Sequence, residues 1–306
     1  MDKIERKSVS RRTFIKRLKN RPWQFAIRFK STSAGKKVFL KVGGGFNNYP
    51  VPSIKDCVDR ESTALKILKG LAVPTIVSIP RNEVRRLVKQ ASFHHIATEL
   101  LPGRDCVGRK FNSDNALGLW AFALEQLCAF RRLDILCYDI KTEHLFVNEE
   151  LDKAWIIDFD RCCLLEPSGK YDFVLLGLPV PFSPPEIIAR YDVTESVIVY
   201  QMGMMLGCLL FGNFSNHVVN TVGLKAIGKR ISQISPELSK FLVSSIAADH
   251  KNRPQTLEEL FEKFKELRLP EKSLDLWTKL REPYIKKLNK LKFFNPSDAR
   301  SPKLAA

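Results

Sequence analysis

Three features of the sequence predict an α+β protein in two lobes. Residues 23–100 carry strand-like alternation around one helical pattern. Residues 195–291 are almost continuously helical in spacing. Between them lie one long amphipathic helix and two short strands. The length of 306 residues fits two compact units, or one large two-lobed domain, at roughly 100–200 residues per domain.

The elements follow in order. Trp23–Phe29 and Lys37–Val42 alternate apolar and polar residues around the turn-forming cluster Lys30 to Gly35, which predicts a hairpin. Gly43-Gly44-Gly45 and Asn47 to Pro50 read as a connecting loop. Asp59 to Leu71 is a helix with Ala64, Leu65, Leu68 and Leu71 on one face and Glu61 beside them. Phe93–Leu100 is a strand stopped by Pro102-Gly103. Asn115 to Leu133 is the long amphipathic helix. His144–Val147 and Ala154–Ile157 are short strands joined by a polar turn. The apolar run Val197 to Phe211, broken by Gln201, falls short of the ~20 residues that span a bilayer and reads as a buried helix.

Hydrophobic residues make up 44% of the chain and charged residues 27%, which excludes wholesale disorder and a membrane bundle. The net charge of +17 is concentrated at the ends: +12 in residues 1–41, +6 in residues 277–306 and −1 in the remainder. Basic ends suit an anionic acceptor or a membrane surface, which they would meet peripherally. The seven cysteines form no C-x-x-C pair, and their odd number points to reduced thiols and a cytoplasmic setting. The basic N-terminus has no apolar stretch behind it, so it is not expected to act as a signal peptide.

The chemistry lies in Cys137 to Val147 and Ala154 to Arg161. Asp139 sits in a loop before one strand, and Asp158 follows the next strand nineteen residues later. A hairpin brings two such acids together, as phosphoryl transfer requires: one carboxylate orients the attacking hydroxyl while the other holds Mg²⁺ on the nucleotide phosphates. Lys141 is placed to offset charge on the transferring phosphate.

Other segments make the chain resemble the protein kinase superfamily, in the family's order over residues 12–268. Val38-Phe39-Leu40-Lys41 is similar to the V-A-I-K strand, and Glu61 stands where the family's partner acid stands. Glu99 to Gly103 resembles the hinge. Asp139 and Asp158 match the catalytic-loop and D-F-G acids, Pro184-Pro185-Glu186 resembles A-P-E, and Asp249 to Pro254 resembles the stretch whose Arg pairs with that Glu. The resemblance implies a bilobal protein kinase-like fold with a strand-rich N-lobe (1–98), a hinge (99–103), a helical C-lobe (104–270) and a basic amphipathic tail (271–306). It also implies ATP and Mg²⁺ as cofactors. Lys41 and Glu61 would seat the α/β-phosphates, and backbone groups of Glu99 and Leu101 would hold the adenine. Asp139 and Lys141 would be catalytic, and Asp158 with His144 would hold the metal.

The departures are specific. Arg12 to Phe29 contains no glycine where the family's Gly-rich loop belongs. His144 replaces the catalytic-loop Asn, Asp160 the D-F-G Gly, and the helix-F acid expected near Ile198 is missing. The bacterial lipopolysaccharide-core kinases, which phosphorylate Kdo or heptose, share several of these departures. They resemble this chain in Ala34 to Lys41, Asp59-Arg60-Glu61 and Ile157 to Arg161. Because imidazole is a poorer Mg²⁺ ligand than oxygen, His144 is expected to orient phosphate or Asp158. An inner-core sugar is therefore the favoured acceptor, and nucleic acid is not expected as a partner. Lys141 and the Pro-Pro-Glu/Arg253 pair favour the alternative of a Ser/Thr protein kinase. The missing glycines favour a third reading, a pseudokinase scaffold.

Smaller features have plainer readings. Gly43–Gly45 follows Lys41, so it is a flexible connector and not a phosphate loop. Ser168, Tyr171 and Ser183 are loop polars, one of which could take a regulatory phosphate. Cys162 and Cys163 are packing residues. Trp277, Leu280, Tyr284, Leu288 and Leu291 form one apolar face among basic residues. Such a helix either docks on the C-lobe or lies on a membrane surface, and Leu and Trp at this spacing favour docking.

Overall fold

The computed structural model describes residues 25–31, 33–44, 54–88, 93–165, 182–188, 194–212, 214, 219, 223–267 and 271–291. The chain divides into two compact units, one of residues 1–63 with 75–100 and one of residues 64–74 with 101–306.

The first unit is a three-stranded antiparallel sheet with helices. Strands β1 (Phe25–Lys30) and β2 (Lys37–Gly44) pair from Phe25↔Val42 to Lys30↔Lys37. Their turn closes through Ser31 N–H donating to the Lys36 carbonyl at 3.0 Å, with Gly35 at φ +66°. β3 (Phe93–Glu99) pairs with the other edge of β2, placing Lys41 opposite Ile96. Alternation along β2 buries Val38, Leu40 and Val42 against Val77, Ile79, Val84 and Ala97. Lys41, between two of these, therefore points to the opposite face.

Two readings of this unit change. Helix α1 runs Ile54–Ile67, so it starts five residues before Asp59 and ends before the turn at Gly70. Gly43 and Gly44 continue β2 opposite His94 and Phe93 and are not loop; Gly45 and Asn47 to Pro50 lie outside the described residues. A short helix, α2 (Arg81–Val88), adds an element that the sequence did not announce.

The second unit is built on two buried helices, α3 (Ser113–Arg131) and α5 (Ser196–Phe211), with the short α4 (Pro185–Ile188) before α5. Both long helices are apolar on nearly every side, as helices inside a core must be. Asn112 caps α3, its side chain accepting from Asn115 N–H at 2.8 Å. Trp120 of α3 donates its indole N–H to the Met202 carbonyl of α5 at 2.7 Å, so its one polar atom is satisfied at depth. Helices α6 (Leu224–Ser232), α7 (Pro236–Ser245) and α8 (Leu257–Lys265) complete this layer. Burial pushes the Cys106 and Cys208 thiols up to about 12, consistent with packing residues. No described helix is long and apolar enough to cross a membrane.

Short strand pairs frame the loops: β4 (Arg104–Asp105) with β6 (Leu145–Val147), β6 with β7 (Ala154–Ile156), and β5 (Ile135–Cys137) with β8 (Cys162–Leu164).

The C-terminal segment docks. Helix α9 (Glu271–Arg281) lies along α3, where Gly118 leaves room: a Cβ there would come within 2.8 Å of the Leu276 side chain. Glu125, in the middle of α3, is fully buried. It accepts from Trp277 Nε1 at 3.0 Å and from Arg281 Nε and Nη2 at 3.0 and 2.6 Å. Leu280 and, in α10 (Ile285–Lys290), Leu288 are also buried, while Lys279, Lys286 and Lys290 stay exposed and Lys287 is half-buried. The apolar face of residues 271–291 is thus occupied by the protein itself. Phe293 and Phe294 lie outside the described residues.

Arg281→Ala should strand the Glu125 carboxylate and cost about 3 kcal/mol, since removing one partner of a buried pair leaves an uncompensated charge. Chemical denaturation should show that loss, and Lys279→Ala, an exposed neighbour, should stay within about 0.5 kcal/mol of wild type.

Candidate functional site

Each unit contributes one cluster. In the first, Lys41 Nζ lies 2.8 Å from Glu61 Oε2, with both side chains largely buried. Strand alternation aims Lys41 away from the sheet core, and Glu61 meets it from α1. Also in this unit, Glu99 donates its N–H to the Thr75 carbonyl at 2.9 Å and accepts from Thr75 N–H through Oε1 at 3.0 Å. Its amide is therefore committed to Thr75. Leu101 follows β3 and is half-buried.

The second unit carries the acid cluster. β5 ends at Cys137, opposite Cys162 of β8, which fixes both ends of the span holding Asp139 and Asp158. After β5 come Tyr138, Asp139, Ile140 and Lys141, then a 3₁₀ turn over Thr142–His144 that leads into β6. β6 and β7 pair Leu145 with Ile156, and Ile157 N–H continues the ladder to the His144 carbonyl at 2.9 Å. That register sets His144 beside Asp158, which takes a left-handed φ of +70°. His144 Nε2 lies 3.3 Å from Asp158 Oδ2, and Nδ1 lies 2.6 Å from the Asp139 carbonyl. A carbonyl only accepts, so Nδ1 is the donor. Lys141 Nζ pairs with both carboxylate oxygens of Asp139 at 3.1 and 3.0 Å. Asp139, Lys141, His144 and Asp158 thus form one connected group. Lys41 and Glu61 form another.

A further residue holds this group. Gln201 of α5 is fully buried; it accepts from Ile140 N–H at 3.2 Å and donates to the Tyr138 carbonyl at 2.7 Å. It grips the backbone on both sides of Asp139. Helix α5 thus meets this loop through an amide, at a position three residues beyond Ile198. The signal for it was in the sequence: a lone polar residue in an apolar helix must find partners.

Arg253 ties the late helices to α4. Its guanidinium meets Glu186 Oε1 at 2.5 Å and Oε2 at 3.0 Å, and it donates to the Ala247, Ala248 and Ser196 carbonyls. Tyr200 lies against it, 4.7 Å from the ring centroid. The anticipated pairing of Glu186 with Arg253 is present. Ser183 is buried, while Ser168, Tyr171 and residues 12–24 lie outside the described residues.

No protein-family model and no curated protein matches the chain. Among solved structures it is similar to the autoinhibited serine kinase domain of the giant muscle protein titin, at 16% identity, covering 85% of this chain and 84% of that one with a TM-score of 0.59. The chain therefore has a protein kinase-like fold.

Gln201→Leu should leave Tyr138 O and Ile140 N–H without their partner and cost about 1–3 kcal/mol, read from denaturant titration. Arg253→Leu should cost about 3–5 kcal/mol through the abandoned Glu186 carboxylate. A melting temperature within error of wild type for Arg253→Leu would contradict the pairing.

Proposed function

We propose that the protein is an ATP-dependent phosphotransferase that moves the γ-phosphoryl group to a hydroxyl acceptor. The observation that carries this reading is the connected group Asp139, Lys141, His144 and Asp158, held by Gln201 on a protein kinase-like fold. A scaffold without chemistry has no need of these contacts or of the Lys41–Glu61 pair, which argues against the pseudokinase reading.

The donor set fits a divalent ion. Asp158 Oδ2 and His144 Nε2 converge to 3.3 Å, and one of them is a carboxylate. These two residues would hold it, and Mg²⁺ on the nucleotide would offset charge on the phosphate oxygens. Asp139 orients the acceptor hydroxyl and takes its proton. Lys141, paired with Asp139, would offset charge on the transferring phosphate. Lys41, braced by Glu61, seats the α/β-phosphates.

For the acceptor, an inner-core lipopolysaccharide sugar is favoured by the Ile157 to Arg161 stretch and by the segment Ala34 to Lys41. The basic ends suit such an anionic acceptor at the cytoplasmic face of a membrane. A serine or threonine of a protein is the second reading, favoured by the Glu186–Arg253 pair and Lys141. Incubation with γ-labelled ATP, a lipid A–core precursor and a generic protein substrate separates them. Label is expected on the precursor, and label on the protein alone would move the assignment to a Ser/Thr kinase.

The chemistry has its own test. Asp139→Asn should lower turnover by about 10²–10⁴-fold while leaving nucleotide affinity within about twofold, because the residue works on the acceptor. Asp158→Asn should lose both turnover and the rise in melting temperature given by millimolar Mg-ATP. Wild-type turnover in Asp139→Asn would refute the role given to that residue.

A further inference from the structure

We propose that helix α2, with the β1–β2 turn beside it, is a docking surface for an anionic lipid bilayer. This is independent of the reaction assigned above and concerns an element that the reaction does not use.

The spacing of α2 divides it into two sides. Val84 points inward and packs with Val38, Leu40 and Val42 of the sheet. Arg81, Asn82, Arg85 and Arg86 are all exposed. Residues four apart share a side of a helix, so Arg81 with Arg85 and Asn82 with Arg86 make one outward face that holds three cations and no acid. The single acid of the helix, Glu83, is turned to the β1–β2 turn. Ser33 donates to its Oε2 through Oγ at 2.6 Å and through its N–H at 3.4 Å. That contact holds the turn against α2, and the turn adds Lys36 and Lys37, both exposed.

Such a face is unfavourable by itself. Like charges four residues apart on a helix repel one another, and Arg81 and Arg85 stand at that spacing. Among the described residues, no hydrogen bond or ion pair engages the Arg85 or Arg86 side chain. An anionic surface would relieve the repulsion. It would also leave the Lys41–Glu61 pair clear, because Val84 covers the face of β2 that carries Val38, Leu40 and Val42, and Lys41 points to the other face.

The kind of partner follows from the side chains. Guanidinium groups match phosphate oxygens two at a time, and lipid headgroups present phosphates as a plane that one helix face can meet. The sequence leading into β1 favours a bilayer over nucleic acid. Residues 11–24 hold six Lys/Arg and no acid, interspersed with Phe14, Ile15, Leu18 and Trp23. Ile and Leu gain nothing from stacking on bases, whereas the boundary between headgroups and acyl chains takes them.

Co-sedimentation of the full chain with vesicles of phosphatidylcholine and about 30% phosphatidylglycerol tests this, with pure phosphatidylcholine vesicles as the comparison. Binding is expected to the anionic vesicles alone and should weaken steeply as salt is raised. Each cation near such a surface is worth about 1 kcal/mol, or about fivefold. Arg85→Gln with Arg86→Gln should therefore weaken binding about 30-fold, while Arg85→Lys with Arg86→Lys should stay within about threefold of wild type. In wild-type protein, amide hydrogen exchange over α2 and the β1–β2 turn should slow when anionic vesicles are added. That measurement needs no variant, so it stands even where one fails to fold. Absence of binding to anionic vesicles would overturn the proposal. So would binding that the Gln variant retains in full, or binding that leaves exchange over α2 unchanged, since the contact would then lie elsewhere on the chain. Tighter binding to an RNA oligonucleotide than to the vesicles, lost in the Gln variant, would overturn the lipid assignment and make nucleic acid the partner.

Discussion

The arrangement of the acid cluster in the second unit depends on one buried carboxamide. Gln201 lies on a helix that is otherwise apolar, and its oxygen and nitrogen reach the two backbone groups that bracket Asp139. Loops seldom hold catalytic groups to the required fraction of an ångström by themselves; they are held by the rigid elements beneath them. The loop after β5 has only a three-residue strand and a single 3₁₀ turn of its own. What fixes the backbone on either side of Asp139, and with it the carbonyl that meets His144, is therefore the buried helix α5. Its place in turn depends on Trp120 bonding to Met202 and on the helix α3 behind it.

Two guanidinium–carboxylate pairs extend the same logic. Glu125 with Arg281 joins residues 156 positions apart, and Glu186 with Arg253 joins residues 67 apart. Buried pairs of this kind often gain little net stability over a well-packed apolar replacement, because desolvation offsets attraction. Their effect is to define which arrangement is allowed. A buried carboxylate at Glu125 tolerates the C-terminal helix in one register only, the one that brings Trp277 and Arg281 to it together. Every donor edge of Arg253 is used, on Glu186 and on three carbonyls, so any shift of the late helices breaks several bonds at once.

Much of this was legible from the residues. The hairpin, the long helix α3, the strands around the acids and the pairs Lys41–Glu61 and Glu186–Arg253 all follow from alternation, spacing and order of motifs. What was not legible has physical causes. Gly43 and Gly44 look like loop by composition, yet the β3 edge offers them backbone partners, and pairing outweighs propensity. The start of α1 lay hidden because Val51 to Lys55 shows no clear period. The spacing of Leu and Trp in the basic tail favoured docking over a membrane surface, and Glu125, a single acid inside an apolar helix that needs a cation, supplies the place where it docks. Gln201 stands out in the sequence as an interruption of an apolar run, but its backbone partners, Ile140 and Tyr138, lie far from it along the chain.

The substitution of an amide for an acid on α5 is explained by what the loop presents to it. One backbone group facing Gln201 is a donor, Ile140 N–H, and the other is an acceptor, the Tyr138 carbonyl. A carboxylate accepts twice and donates nothing, so at this place it would repel the carbonyl. Glutamine offers one of each and satisfies both. The same orientation of the backbone leaves the Asp139 carbonyl directed at His144, where a donor is required and Nδ1–H supplies it. The contacts of His144 and Gln201 both follow from how one short loop orients its peptides. Each side chain supplies what its own backbone partner requires: Gln201 a donor and an acceptor, His144 a donor.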